Sequence, residues 1–183
     1  MKITFDVDGV LNDITGYLMR KINAEKEFKY YYITENSEFT DAEKESILKG
    51  YDKLDTFVNA GFVSDAKRIL EIKEEDLYIY TYSNTKEILD FKRQELIKMG
   101  INPDHITDAI YTHDLEKNVV TDILVEDCLK NIITSDVKVK SIIIDKSYNK
   151  AETYGHTDEE LNIKRVSSVS EAVDYIKECR LWM

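Results

Sequence analysis

Cysteine is scarce in this chain of 183 residues: there are two, Cys128 and Cys179, far apart and without C-x-x-C spacing. That excludes a disulfide framework and a cysteine metal knuckle, and fits reduced thiols in a cytoplasmic protein. Histidine is nearly as rare. His105, His113 and His156 lack the helical ligand spacing of a histidine zinc site. No apolar run approaches the roughly 20 residues that span a bilayer. Met1-Lys2-Ile3-Thr4-Phe5-Asp6 has no signal-peptide pattern and reads as structure from the start. Basic residues are in deficit, 25 Lys and Arg against 36 Asp and Glu, for a net charge of −11. A nucleic-acid backbone or an anionic membrane needs a basic face, so neither is an expected partner. A small anionic substrate is still compatible, because a metal ion and one or two local bases reverse the field inside a cleft. Internal repeats and low-complexity tracts are also missing.

At 43% hydrophobic, the chain can bury a core of its own. Residues 2–8 read as a strand, with Ile3, Phe5 and Val7 alternating with Thr4 and Asp6 before Gly9. A long stretch from Ile14 to Ser64 has no comparable strand. Within it, Thr40-Asp41-Ala42-Glu43 opens helical structure through a capping box. Residues 65–73 suggest a short amphipathic helix. Further strands are expected at Leu77–Thr81, Ala109–Tyr111, Asp122–Val125 and Ser141–Ile144. Helices are expected from Thr85 to Gly100 and, behind the capping box Ser168-Val169-Ser170-Glu171, in a last helix that faces inward through Ala172, Val173 and Ile176. Strands alternating with helices predict an α/β fold with a parallel sheet covered on both faces.

Ligands of such sheets sit outside the carboxyl ends of the strands. Asp6 and Asp8, Thr81 and Ser83, and Glu126 and Asp127 fall there. Asp6 and Asp8 leave an extended strand on the same side, and Asp127 joins them from another strand. Such acids repel one another when nothing lies between them, and a hard cation relieves the repulsion. Few carboxylates, with the remaining shell left to water and substrate, suit Mg²⁺ better than Ca²⁺. A calcium loop is excluded: counted from Asp6, position six is Leu11 rather than Gly and position twelve is Tyr17 rather than Glu. Phosphoryl transfer needs a nucleophile, charge neutralisation and a proton for the leaving group. An aspartate supplies the first as an aspartyl-phosphate, while Thr81 and a lysine such as Lys117 suit the phosphoryl oxygens. Each piece alone has a bland reading as turn, strand or surface residue; the ordered set carries the argument.

That set resembles the motifs of haloacid dehalogenase-type phosphatases. Asp6-Val7-Asp8-Gly9-Val10-Leu11 resembles the first motif, Tyr78-Ile79-Tyr80-Thr81 the second, Lys117 the third and Glu126-Asp127 the fourth. The resemblance implies a Rossmann-like three-layer core over residues 1–13 and 65–183, with a helical cap at 14–64 between the first and second motifs. It implies that Asp6 is nucleophile and metal ligand, and that Asp8 is acid/base and meets the metal through its backbone carbonyl. Thr81 and Lys117 would bind phosphate, with Ser83 able to share or take over the hydroxyl role. Asp127 would hold Mg²⁺, with Glu126 supporting it directly behind or through a water. An aspartate at position 8 is typical of the family's phosphatases and phosphomutases. The short cap and the lysine nine residues before Glu126 are similar to the 5′(3′)-deoxyribonucleotidases, which implies a nucleoside monophosphate substrate; a phosphatase of sugar phosphates or other small phosphorylated metabolites, and a catalytically silent phosphate- or partner-binding domain, are the alternatives. Phe28, Tyr30, Tyr31, Tyr32 and Phe39 are candidates to wall the base, and equally candidates for the cap's own core. The loop Ser147–Glu160 is left open, with Tyr148 and Asn149 assignable to site or surface.

Overall fold

A computed structural model describes residues 1–22, 26, 28–30, 32–110 and 119–180. Tyr31, Tyr111, His113 and the expected phosphate ligand Lys117 lie outside the described residues. Six strands form one sheet: β1 (Ile3–Phe5), β2 (Leu77–Ser83), β3 (Ile106–Ile110), β4 (Val120–Glu126), β5 (Asp136–Ile144) and β6 (Ile163–Val166). Their order is β3-β2-β1-β4-β5-β6, and neighbouring strands run parallel. Apolar residues alternate between its two faces. Phe5, Ile123, Val125 and Ile142 enter one cluster with Ala172, Val173 and Ile176 of helix α6 (Val169–Arg180). Leu124 and Ile143 enter another with Leu129 and Ile132 of α5 (Leu129–Thr134). The expected α/β fold with a parallel sheet is present.

The differences from expectation have local causes. β6 was not anticipated, because its sequence Ile-Lys-Arg-Val holds two charges; at the sheet edge Arg165 pairs with Asp145 and Asp158 instead of facing a core. β5 begins five residues early, where Asp136–Lys140 is charged and mostly exposed and so has no apolar signature. β3 starts at Ile106, ahead of the expected Ala109. Residues 66–71 form a 3₁₀ helix rather than an α-helix: Ala66 and Ile69 are buried three apart while Leu70 is exposed. Two helix signals were accurate. Thr40 and Glu43 complete the capping box of α2 (Asp41–Tyr51), and Gly100 ends α4 (Lys86–Met99) with φ +116°.

Between β1 and β2 the chain forms α1 (Ile14–Lys21), α2 and α3 (Leu54–Ala60). Their apolar residues, with Phe28, Ile33 and Phe39, make a third cluster that also takes in Ile88 of α4 and Tyr148. The chain enters and leaves this segment side by side, with Val63 donating its N–H to the Leu11 carbonyl at 2.8 Å. No helix among the described residues is long and apolar enough to cross a membrane.

Candidate active site

In the order 3-2-1-4-5-6, connections leave β1 and β4 in opposite directions, and a crevice opens beyond their carboxyl ends. β1 stops at Phe5, earlier than expected. The chain then turns, and the N–H groups of Leu11 and Asn12 close on the Val7 carbonyl at 2.9 and 3.0 Å. Because of that turn, Asp6 and Asp8 do not share one cluster.

Asp6 stays beside β4, its N–H on the Val125 carbonyl at 2.9 Å. Its carboxylate meets those of Glu126 and Asp127; one oxygen of each lies within 4.8 Å of the others, and all three residues are buried. Glu126, expected in a supporting place, is fully buried within this triad, where its Oε1 accepts the N–H groups of Asp127 and Cys128 at 3.1 and 3.2 Å. Burial, and then the charges of Glu126 and Asp6, push the Asp127 carboxyl well above the usual range. Asp127 Oδ2 accepts the Tyr148 hydroxyl at 2.5 Å, whereas Oδ1 is buried with no hydrogen-bond partner. Gly9 permits this approach: it has φ +83°, and a Cβ there would lie 1.9 Å from Asp127 Oδ2. Three crowded carboxylates with an orphaned oxygen fit a hard divalent cation, which would satisfy that oxygen and offset the repulsion.

Asp8 points elsewhere. Its Oδ1 accepts from Asn12 Nδ2 at 2.9 Å, and Oδ2 pairs with the Lys92 ammonium. Lys92, 2% exposed, reaches in from the middle of α4, also donates to the Tyr82 carbonyl at 2.7 Å, and lies 3.5 Å from Thr81 Oγ1. Its ammonium stands 4.7 Å from the centre of the Phe57 ring. Sequence reasoning missed this lysine. The available signal was its place on the apolar stripe Leu89-Lys92-Leu96, where a charge needs a buried partner. Thr81 is buried beneath the ammonium, while Ser83 opens onto the cleft with a buried hydroxyl that has no partner.

A cleft of about 870 Å³ runs from Asp8 and Asp127 to the helical segment. Of the five aromatic candidates, Phe28 and Tyr32 line it. Phe39 is core, packed edge-on against Phe28 at 5.1 Å, and Tyr30 is exposed away from the lining. Tyr51, Phe57, Tyr82 and Tyr148 complete the aromatic walls, and Lys130, Asn131 and Thr134 of α5 supply a polar side.

No protein-family model and no curated protein matches this chain. Among solved structures it is similar to a hydrolase, a haloacid dehalogenase-like family protein from Streptococcus pneumoniae, with TM-score 0.52 and 13% identity over 96% of this chain and 97% of that one. The fold is haloacid dehalogenase-like. On that fold the buried triad Asp6, Glu126 and Asp127 stands at the carboxyl ends of β1 and β4, and it could hold a metal ion.

Proposed function

We propose that this protein is a Mg²⁺-dependent phosphatase that hydrolyses nucleoside monophosphates, deoxy forms among them, through an aspartyl-phosphate on Asp6. The observation that carries the reading is the division of labour at one cleft end. A buried acid triad with an orphaned Asp127 oxygen stands beside a separate acid, Asp8, held by a buried lysine.

In the first half-reaction a carboxylate oxygen of Asp6 attacks phosphorus, and the bond from phosphorus to the ester oxygen breaks. Asp8 delivers a proton to that leaving oxygen, and the nucleoside departs. In the second half a water attacks the aspartyl-phosphate, Asp8 takes the water's proton, and Asp6 is restored as inorganic phosphate leaves. Ser83 Oγ, with its hydroxyl uncommitted, is the better placed of the two strand-end hydroxyls for a phosphoryl oxygen. Lys92 holds Asp8 and adds a positive charge beside Thr81. Lys117 keeps its expected role as phosphate ligand on the strength of its spacing. Asp6 and Asp127 would hold the cation, with Glu126 beside them and the Asp8 backbone carbonyl as the further expected ligand. Mg²⁺, when bound, neutralises charge on the phosphoryl oxygens.

The substrate class rests on the walls. A cleft of about 870 Å³ exceeds what a phosphate needs, and the rings of Phe28 and Tyr32 suit a flat base. The likeness of the first-motif sequence and of the Lys117–Glu126 spacing to the 5′(3′)-deoxyribonucleotidases points the same way. Phosphate release from a panel of ribo- and deoxyribonucleotides and sugar phosphates, with Mg²⁺ and with EDTA, tests the reading. Mg²⁺-dependent release favouring nucleoside monophosphates is expected. Release from sugar phosphates alone would discard the nucleotide assignment, and no release from folded, Mg²⁺-supplied protein would discard the phosphatase.

A further inference from the structure

The turn after β5, open between site and surface in the sequence, lies against the site. Asn149 is fully buried: its Nδ2 donates to the backbone carbonyls of Asp127 and Ile144, both at 2.8 Å. Its Oδ1 accepts from Lys146 N at 3.1 Å and Arg165 Nη1 at 2.9 Å, and Arg165 Nη2 donates to its carbonyl at 2.8 Å. The turn is therefore tied both to the end of β4 and to the edge strand β6.

Tyr148 stands on that turn and is 5% exposed. Its ring belongs to the cluster of the helical segment, with its centre 6.3 Å from that of Phe28, and it lines the cleft. Its hydroxyl is the donor to Asp127 Oδ2. With Oδ2 taken by that hydroxyl, the buried Oδ1 is the oxygen left to face a cation. A carboxylate without such a tether can turn about its last side-chain bond and offer either oxygen or both. Mg²⁺ demands near-octahedral geometry and tolerates that freedom poorly.

We propose that Tyr148 is a positioning residue, whose hydroxyl presents Asp127 Oδ1 to the cation from a ring fixed in the wall of the cleft. The proposal rests on the cation site of the proposed function and goes beyond it by assigning a role to a residue outside the expected set. Groups that hold a metal ligand from behind are typically worth 10–100-fold in metal affinity.

The test is Tyr148→Phe, which keeps the ring and its packing and removes only the hydroxyl. Mn²⁺ is titrated into the full chain without substrate, and free Mn²⁺ is read by electron paramagnetic resonance. The variant should bind Mn²⁺ about tenfold more weakly than wild type. A structural role alone would lower the melting temperature and leave Mn²⁺ affinity unmoved. Equal or tighter Mn²⁺ binding by the variant, with wild type binding normally, overturns the role of Tyr148 and leaves the cation site standing. Wild type that binds no Mn²⁺ overturns both.

Discussion

On the sheet side of the cleft the decisive side chains are polar and almost wholly buried: Asp6, Thr81, Ser83, Lys92, Glu126 and Asp127 are each 7% exposed or less. On the side of the helical segment they are aromatic or aliphatic, and some are half open, with Tyr32 39% and Leu48 46% exposed. The first wall is placed by backbone: β1 and β4 pair in register, Phe5 against Val125, so the residues that follow emerge side by side. The second is placed by packing of side chains from α1, α2, α3 and the turn bearing Tyr148. Register tolerates no drift, whereas a packed aromatic cluster accommodates change in volume with modest loss. On the proposed function, chemistry belongs on the first wall and substrate preference on the second.

The sharpest way to break that division is at the proposed nucleophile. Asp6→Asn should lower Mg²⁺-dependent phosphate release by on the order of 10⁴-fold or more. The folded state should survive, because the substitution removes one charge from the crowded triad. The melting temperature of the metal-free variant should equal or exceed that of wild type. Residual turnover within tenfold of wild type would remove Asp6 from the chemistry.

Next in size is Lys92→Met, which keeps the aliphatic stem and removes the ammonium from Asp8. A drop of about 10²-fold in kcat is expected if Asp8 is the acid/base. The stability cost should be about 1–3 kcal/mol, that of a polar group losing its partner, because Asp8 is 27% exposed and can be rehydrated. Unchanged kcat with lowered stability would make Lys92 a structural cation only.

These two residues also show what was legible in the sequence. Asp6 was readable because a strand, a D-x-D-G turn and a second strand ending in Glu126-Asp127 are local patterns, each confined to a few consecutive residues. Their meeting follows from parallel topology alone. Lys92 was not, because its partner Asp8 is 84 residues away and its helix reads as ordinary apolar stripe apart from that one charge. Tyr148 was left open for the same reason: its partner Asp127 is 21 residues off, and its ring packs against Phe28 from another part of the chain. The expectation that Asp6 and Asp8 point the same way failed because the chain turns at Val7 rather than continuing as strand. Of the fold, the buried strands were visible, but the edge strand β6 was not, since a strand with one open side needs little apolar sequence.

On the second wall, effects should be smaller and confined to substrates with a base. Tyr32→Ala should raise KM for nucleoside monophosphates about tenfold, the scale of one lost stacking contact. Turnover of p-nitrophenyl phosphate, which does not reach that far, should change less than twofold. Because Tyr32 is partly exposed, the melting temperature should barely move. Equal losses for both substrates would mean that the aromatic wall shapes the chemical end of the cleft after all.

The smallest expected effect lies where the second wall is anchored, at the start of α2. Lys26, then the Thr40 backbone N–H and hydroxyl, hold Glu43 down to about 2, against an ordinary 4.5. A carboxylate depressed on folding contributes stability that is present above its unfolded value and is lost as pH falls through its folded one. The start of α2 should therefore loosen between about pH 4.5 and 2. Glu71, held near 2 by Arg68 and by Lys177 of α6, loses its ties over the same range, so a global melt cannot separate the two. Amide hydrogen exchange can. In wild type the N–H groups of the first turn of α2 should exchange faster as pH falls, after correction for intrinsic rates. In Glu43→Gln, which retains an acceptor for Thr40 but has no charge to lose, that dependence should vanish at α2. It should persist around Glu71. Acid sensitivity of α2 undiminished in the variant would shift its cause from this cap to the whole fold.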